Sequence, residues 1–204
     1  GVYDLDKHAG TEEDPYPISN ATELLALRNL MHTGQMTYVI LDEDVDITGA
    51  EWTPLNLAEN SYGTTQYMNW ISFDGRGHTI TGLTCSNADQ PYNSFFGILC
   101  GNVKNVGFIN CNVNCNASGS GILAGYIGHS IFVDANGNPQ TCVVENVWAT
   151  GKLHIGKAYC GGLFGNVGGP TVIKNVYANV NITSEADYVG GLIGRVRSAL
   201  TLEN

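Results

Sequence analysis

One block of sequence recurs along this chain, and its repetition limits the possible folds more than any other feature. The fullest copy is GGLFGNVGGPTVIKNVYANVNI, residues 161–182. Partial copies are SFFGILCGNVKNVGF (94–108), GILAGYIG (121–128), VVENVWATGKLHI (143–155), GGLIGRV (190–196) and LTLEN (200–204). Self-similarity of this kind is the signature of a repeat architecture, in which each unit buries its apolar face against its neighbours.

Two independent sets of positions give the same repeat length. The glycine that follows the apolar pair recurs at intervals of 28, 40 and 29 residues, at Gly97, Gly125, Gly165 and Gly194. The Asn of the second half of the block recurs at intervals of 41, 29 and 29 residues, at Asn105, Asn146, Asn175 and Asn204. The long interval contains the polar stretch HSIFVDANGNPQ, residues 129–140. A unit of 28 to 29 residues with one loop insertion explains both series.

The apolar residues of each unit alternate with period two, as in VGFINCNV and VYANVNI. Helical repeats need apolar spacings of three and four, so they are excluded. Stacked units of short strands with Gly and Asn corners pair each strand with its copy in parallel, about 4.8 Å away. The predicted fold is an all-β solenoid, a parallel β-helix of about 28–29 residues per rung with five or six rungs. The alternation predicts these inward side chains: Val106, Phe108, Cys111, Val113, Val147, Ala149, Leu153, Ile155, Leu163, Val167, Val176, Ala178, Val180, Ile182, Leu192 and Val196.

Residues 1–35 are predicted to be an N-terminal extended segment followed by a capping helix, and residues 36–204 the β-helix. We expect the helix over 20–33, where Asn20 and Glu23 have the spacing of a capping box and Gly34 supplies a stop. Such a helix would cover the unpaired edge of the first rung. At the other end LTLEN matches the opening of another rung, so we expect further repeats or end-to-end self-association there.

Charge and hydropathy restrict the partners. The net charge is −10, and residues 1–60 hold twelve acids against Lys7 and Arg28. Neither half of the chain offers a basic stripe, which argues against nucleic acid as a partner. The sequence contains no run of about 18 apolar residues, so no membrane insertion is expected. Nothing in the pattern of residues indicates a cofactor.

The six cysteines lack the CxxC spacing of a zinc site and are sparse for a disulfide scaffold. We therefore expect most of them to be buried thiols. The best disulfide candidate is Cys100 with Cys142, because the repeat register places Cys142 beside Gly101. The cluster Asp42, Glu43, Asp44 and Asp46 could hold calcium, but it lacks the glycine and the spaced Glu of a calcium loop, so a solvated acidic edge is favoured.

The blocks GGLFGNV and GGLIGRV resemble the GLUG repeat of bacterial exported proteins, some of them IgA-cleaving peptidases in which the repeat lies outside the protease domain. The order GTEEDPYPISNATELLALRNL, EWTPLN, FDGRGHTITGL and then repeats is similar to β-helical modules of bacterial cell-surface proteins. The resemblance covers nearly the whole chain. It implies a right-handed winding and a secreted or cell-surface location, and it transfers no catalytic residue.

Two aromatic pairs fall in register on neighbouring rungs and are the candidate ligand-binding residues: Trp148 with Tyr177, and Tyr159 with Tyr188. Outward aromatic rows can stack on sugar rings, or they can simply cover a neighbouring rung. The Asn row predicts side chains that hydrogen-bond up the stack. The residues before it, Lys104, Glu145, Lys174 and Glu203, alternate in charge and so favour this register.

Two functions remain open on these grounds. The first is a non-enzymatic surface module, a stalk or adhesin-like domain that presents a lateral face to a glycan or to a host or cell-surface protein. The second is a carbohydrate-active β-helix enzyme, a polysaccharide lyase or glycoside hydrolase. Glycoside hydrolysis needs two carboxylates roughly 5 to 10 Å apart. Among Asp134, Glu145, Glu185, Asp187 and Glu203 the register aligns no such pair, so no catalytic residue is assigned.

Overall fold

The chain folds into parallel β-sheets with little helix. The computed structural model describes residues 2–32, 34–56, 69–117, 119–129, 132–156 and 159–204. The helices are α1 (Val2–Leu5) and α2 (Ala21–Ala26), which a 3₁₀ turn, Leu27–Asn29, extends. The strands are β1 (Tyr16–Ile18), β2 (Met36–Leu41), β3 (Val45–Asp46), β4 (Trp70–Asp74), β5 (Thr79–Thr81), β6 (Thr84–Cys85), β7 (Phe96–Leu99), β8 (Gly101–Cys115), β9 (Ala124–Ile127), β10 (Cys142–Ile155), β11 (Cys160–Gly161), β12 (Phe164–Val167), β13 (Thr171–Ser184), β14 (Val189–Gly190), β15 (Ile193–Val196) and β16 (Leu200–Glu203). None of the described helices is long and apolar enough to cross a membrane.

The strands pair in chain order. The main sheet has ten strands and runs β1-β2-β4-β8-β10-β13-β16, with β3, β5 and β6 attached at its side. A four-stranded sheet has the order β15-β12-β9-β7, and β11 pairs with β14. All pairings between these strands are parallel. The predicted all-β fold of parallel strands is confirmed, and pairing in chain order is the arrangement expected for a parallel β-helix.

The register follows the repeat. Trp148 of β10 lies opposite Tyr177 of β13, and the Asn residues of the two rungs are 29 positions apart. Paired residues of β8 and β10 are 41 positions apart up to Ala149 and 40 positions apart from Gly151 onward, because β8 contains a bulge of one residue. There Asn110, in the left-handed region at φ 53°, donates its backbone N–H to the Thr150 hydroxyl. The bulge absorbs one extra residue without breaking the stack.

The loop insertion lies between β9 and β10. Of the predicted insertion 129–140, residues 130 and 131 lie outside the described residues. In the described part, Val133 and Pro139 form an isolated antiparallel bridge. Asp134 Oδ1 accepts the backbone N–H groups of Asn136 and Asn138 at 2.8 and 2.9 Å. The insertion therefore closes on itself and leaves the pairing of β10 with β8 intact.

The alternating residues face the interior as predicted, except near the last strands. The predicted residues of β8, β10 and β12, together with Leu163, are buried, and both Leu163 and Phe164 are fully buried. The predicted residues of β13 and Leu192 are partly buried against this core. Val196 is 48% exposed, so its prediction as an inward residue is wrong. Val196 lies on β15, which is an edge strand of the four-stranded sheet and has a neighbour on one side only.

An aromatic cluster fills the interior beneath β4, β7 and β8. The Phe95 ring is stacked on Trp52 at 4.6 Å and 7°, and it meets Phe96 and Phe108 edge-on at 4.8 and 5.0 Å. The Trp52 indole N–H donates to the Phe95 carbonyl at 2.9 Å. Buried aromatic pairs add to the free energy of burial through their edge and face geometry. The rung that contains Trp52 is anchored by this cluster.

The helix at the N-terminal end begins as predicted and ends earlier. Asn20 Oδ1 accepts the Glu23 backbone N–H at 3.0 Å, and Glu23 Oε2 accepts the Ser19 N–H at 2.9 Å. The helix was expected over 20–33 with a stop at Gly34, but its last turn ends at Asn29; position 33 lies outside the described residues. His32 donates its backbone N–H to the Thr37 hydroxyl at 2.7 Å, which turns the chain into β2.

All six cysteines are buried free thiols, as expected for most of them, and the disulfide candidate Cys100–Cys142 does not form. Val143 pairs with Asn102, and continuing this register places Cys142 opposite Gly101, one residue from Cys100. The Cys142 thiol instead lies 3.6 Å from the Leu99 carbonyl oxygen and can donate to it. Burial raises the pKa of the Cys111 thiol to about 12 and also raises the pKa of Cys100. Thiols of this kind are inert.

The bulge generates a stability prediction at Gly151. Gly151 has φ 139°, and a Cβ atom there would overlap the Cys111 backbone of the rung beneath. Gly137 also has a positive φ, 79°, but a Cβ atom there meets nothing. We expect Gly151→Ala to lower the free energy of unfolding by about 2 to 3 kcal/mol more than Gly137→Ala does. Urea denaturation measures both variants, and equal losses would contradict the close approach.

Candidate functional site

A groove opens on the lateral face of the main sheet. It is lined by the end of β4 and the turn after it, and by residues within β8, β10 and β13. Its volume is about 550 Å³. The residues that line this lateral groove are Asp74, Arg76, Gly77, Asn105, Val106, Gly107, Asn146, Trp148, Asn175 and Tyr177. The groove thus combines one predicted aromatic pair with the predicted Asn row. Open clefts lined by aromatic rings and a few placed polar groups are typical of ligand sites.

The aromatic side of the lateral groove is formed by Trp148 and Tyr177. Their rings are stacked, with centroids 5.8 Å apart and planes 4° apart. The in-register pairing of β10 with β13 places them one above the other. Tyr177 is 55% exposed, whereas Trp148 is half-buried. Tyr177 therefore offers most of the accessible ring surface.

Trp148 owes its position to a glycine on the rung beneath. Gly107 of β8 lies directly opposite Trp148 in the register. A Cβ atom on Gly107 would overlap the indole ring, so the ring lies in the space that a side chain would otherwise occupy. Trp148 consequently packs on Gly107 and lines the lateral groove at the same time.

The polar side of the lateral groove is a ladder of side-chain amides. Asn146 Nδ2 donates to Asn105 Oδ1 at 3.0 Å, and Asn175 Nδ2 donates to Asn146 Oδ1 at 2.7 Å. The backbones of these three residues lie in the left-handed region, with φ of 57°, 54° and 50°. Asn is among the few residues other than glycine that adopt this conformation readily. The predicted vertical Asn row is confirmed for Asn105, Asn146 and Asn175, and we call these three residues the amide ladder.

The amide ladder starts on a carboxylate. Asn105 Nδ2 donates to Asp74 Oδ1 at 3.2 Å, and the Arg76 backbone N–H donates to the same oxygen at 2.9 Å. Lys104 Nζ lies 3.8 Å from Asp74 Oδ2. The Arg76 guanidinium donates to Asp42 at 3.0 Å. The charges along the lateral groove are therefore compensated by neighbouring charges. Sequence reasoning missed Asp74 and Arg76, which lie in the turn FDGRGH, one rung before the recognisable repeats.

The charged row beside the amide ladder has the predicted alternation. Glu145 pairs in register with Lys104 and with Lys174, and Lys174 pairs with Glu203. Lys174 Nζ lies 3.5 Å from Glu203 Oε2, and both side chains are well exposed. Exposed ion pairs contribute at most about 1 kcal/mol each. The alternation of charge therefore favours this register.

The second aromatic pair lies apart from the lateral groove. Tyr159 and Tyr188 have centroids 5.3 Å apart and planes 34° apart, next to β11 and β14. Neither of them lines the lateral groove. The Arg195 guanidinium carbon lies 4.6 Å from the Tyr159 ring centroid and 5.9 Å from that of Tyr188, and its N–H donates to the Tyr159 hydroxyl. Arg195 therefore packs against this pair, and the role of Tyr159 and Tyr188 in ligand binding stays a prediction.

Arg195 was not a candidate from sequence, although a signal existed. It stands at the position of Asn166 in the repeated block, and the two residues are paired in register between β12 and β15. A guanidinium in place of an amide, one rung from a tyrosine pair, fits the geometry of a cation–π contact. The replacement of Asn by Arg between the blocks GGLFGNV and GGLIGRV was therefore the signal in the sequence for this contact.

The acidic cluster considered for calcium has other partners. Asp44 Oδ1 accepts the Thr79 backbone N–H at 3.0 Å and lies 3.1 Å from His78 Nδ1. Asp46 accepts the Thr48 N–H at 2.9 Å, and Asp42 is bound to Arg76 as described above. Within the described ranges, no three His, Cys, Asp or Glu residues are grouped so that they could hold a metal ion. Asp42, Asp44 and Asp46 therefore bind different neighbouring groups.

The environment of Asp44 predicts a pH dependence of stability. The hydrogen bonds from the Thr79 backbone and from His78 lower the pKa of this carboxyl below 3.8. A carboxyl with a lowered folded-state pKa contributes stability that is present above its unfolded pKa and is lost as the pH falls through the folded value. We expect Asp44→Asn to make the decline of the unfolding free energy below about pH 4 shallower.

Chemical denaturation between about pH 5 and pH 2 measures this decline. Glu43→Gln is the control, because it removes an exposed carboxylate from the same segment. The same slope in the wild type and in Asp44→Asn would show that the two hydrogen bonds contribute nothing to acid sensitivity.

The lateral groove does not assemble the carboxylate pair of a glycoside hydrolase. Asp74 is the single carboxylate among its described lining residues, and it is engaged by Asn105 and Lys104. Glu145 lines an adjacent cavity of about 300 Å³ together with Lys104. The lateral groove offers the face of an aromatic ring, amide donors and acceptors, and charges that are compensated by their neighbours. Groups of this kind can bind a polar ligand.

Comparison with known proteins adds one relative of known structure. No protein-family model and no curated protein matches the chain. A crystal structure described as that of “a putative immunoglobulin A1 protease from Bacteroides ovatus” superposes with a TM-score of 0.72 at 28% sequence identity. The match covers 96% of this chain and 66% of that chain. This protein is therefore similar in fold along nearly its whole length to a part of that structure.

The contact between Gly107 and Trp148 generates a second prediction. In Gly107→Ala the new methyl group must displace the indole, so we expect the Trp148 indole N–H resonance to shift. Gly191→Ala is the matched control, because a Cβ atom there meets nothing within 4 Å. Two-dimensional ¹H–¹⁵N spectra of both variants make the comparison, with Trp148→Phe to assign the peak. An unmoved Trp148 resonance in Gly107→Ala would contradict the packing described here.

Proposed function

We propose that this chain is a non-enzymatic module of a bacterial secreted or cell-surface protein, which binds a glycan through the lateral groove. The observation that carries the proposal is the exposed ring of Tyr177, which is stacked on the half-buried Trp148 in a groove of about 550 Å³. In this proposal the module is a right-handed parallel β-helix of the GLUG-repeat type with a stalk or adhesin-like role.

The pairing of strands supports the β-helix. Strands that follow one another at 29 residues and pair in parallel need a connection that returns to the starting edge. Such crossovers are right-handed in the great majority of proteins. The GLUG-like blocks also stack on one another, since Phe164 pairs with Ile193 in β12 and β15. The fold-level likeness to the Bacteroides ovatus structure along 96% of the chain agrees with this arrangement.

The chemistry of the lateral groove supports a sugar as the ligand. A pyranose ring has apolar C–H faces and a rim of hydroxyl groups that both donate and accept. The Tyr177 ring can cover one such face, and the neighbouring amides can bind the rim. Since the charges of Asp74 and Arg76 are compensated, no strong field selects for ions.

The likeness to the Bacteroides ovatus structure does not lead us to propose proteolysis. This chain spans 66% of that structure, so the activity named for the whole protein need not reside in the matched part. The GLUG resemblance likewise implies a repeat that lies outside the protease domain. The secreted or cell-surface location rests on that same resemblance.

The proposal predicts a matched pair of variants. Tyr177 is 55% exposed in the lateral groove, and Tyr188 is 54% exposed outside it. We expect Tyr177→Ala to weaken glycan binding by at least about tenfold, or 1.4 kcal/mol, and Tyr188→Ala to leave it unchanged. Each change removes one ring contact of a side chain that is more than half exposed, so we expect small and similar decreases of the thermal midpoint in the two variants.

A glycan array read with the wild-type protein identifies the ligand, and calorimetry compares the two variants. Absence of binding across the array, or equal loss in the two variants, would refute the proposed role of the lateral groove. A reducing-sugar release assay on the bound glycans tests the carbohydrate-active alternative. Turnover that survives Asp74→Asn would point to carboxylates elsewhere on the molecule.

A further inference from the structure

We infer that the amide ladder is the hydrogen-bonding element of the lateral groove, and that it selects an uncharged oligosaccharide lying along the stacking direction with successive hydroxyl pairs on successive rungs. The inference rests on the proposed glycan binding and specifies its ligand class. It assigns a binding role to Asn105, Asn146 and Asn175, which stacking alone would treat as structural.

An inventory of hydrogen bonds gives the first step. A side-chain amide has two N–H donors and a carbonyl oxygen with two lone pairs. In the amide ladder, Asn146 uses one N–H toward Asn105 and one lone pair toward Asn175. One N–H and one lone pair of Asn146 are left over, and this side chain is exposed at the lateral groove. Each such amide can therefore donate to one hydroxyl and accept from its vicinal neighbour.

The ladder also fixes which way each amide points. Because Asp74 can only accept, Asn105 must turn its Nδ2 toward it, and this choice propagates to Asn146 and Asn175. All three amides consequently have the same orientation before any ligand arrives. Groups that are held in place in the free protein lose little entropy on binding, which favours affinity. Chains of hydrogen bonds also strengthen one another.

Spacing gives the direction of the ligand. Neighbouring rungs are about 4.8 Å apart, so the three amides extend over about 10 Å along the stack. A linear glycan that lies along this row can place one hydroxyl pair on each rung. Tyr177, on the same rung as Asn175, provides the ring surface at one end of the row.

Charge compensation gives the ligand class. Asp74 is surrounded by the Asn105 amide, the Arg76 backbone N–H and Lys104. Arg76 is bound to Asp42, so the described lining contains no cation without an acidic partner. A carboxylated sugar would lose its hydration without gaining a free cation, which is costly. Neutral hexose oligosaccharides satisfy the amides without this penalty.

The test removes amides while keeping the backbone conformation. Glycine adopts a positive φ without strain, so Asn146→Gly and Asn175→Gly delete ladder amides at φ 54° and 50°. Asn110→Gly is the matched control, since Asn110 has φ 53° and does not line the lateral groove. The probes are gluco-, manno- and galacto-oligosaccharides, compared with oligosaccharides that contain uronic acid, and affinity is measured by calorimetry.

We expect at least one neutral series to bind the wild type and Asn110→Gly equally, and to bind each ladder variant at least about tenfold more weakly. If Asn146→Gly does not fold, Asn175→Gly still decides, because it removes only the last amide of the row. Loss of binding in Tyr177→Ala but not in the ladder variants would overturn this inference and leave the proposed function in place. Preferential binding of the uronic acid series would also overturn it. If the wild-type protein binds none of the oligosaccharides, both this inference and the proposed function are refuted.

Discussion

Parallel, in-register stacking of like positions is the constraint on which the rest of this structure depends. Once β8, β10 and β13 pair in parallel, each side chain lies about one strand spacing from its counterpart on the next rung. The side chains at equivalent positions of successive strands form a column, and neighbours within each column must fit one another. Amides satisfy this by bonding to each other and charges by alternating in sign. Trp148 satisfies it because its lower neighbour is Gly107.

This constraint explains which parts of the fold could be predicted from sequence. The columns of Asn105, Asn146 and Asn175 could be predicted because a repeat period is a one-dimensional property of the sequence. The all-β class and the alternation of buried residues followed from the same period. The aromatic cluster around Phe95 could not be predicted, because its rings meet across the interior from segments that the period does not relate.

The features that were predicted wrongly or missed are those that the repeat period does not determine: exposure at a sheet edge, a side-chain pairing and a turn outside the repeats. Val196 alternates correctly, but it lies on an edge strand where nothing covers it. The disulfide candidate Cys100–Cys142 does not form; both thiols are buried in the core, and that of Cys142 faces the Leu99 carbonyl oxygen. The lateral groove was half predicted. Its aromatic pair lies in the repeats, whereas Asp74 and Arg76 come from a turn that does not repeat.

Stacking and binding need not compete for the same groups in this fold. The amide ladder uses the N–H and lone pair that point along the stack, and it leaves the other N–H and lone pair to point across it. A ligand that bonds to the remaining groups breaks no bond that holds the rungs together. The left-handed backbone at each Asn keeps the side chain at the corner, where the amide is accessible. A column of amides that bonds along the stack of parallel strands therefore also forms a row of oriented donors and acceptors on the surface of the sheet.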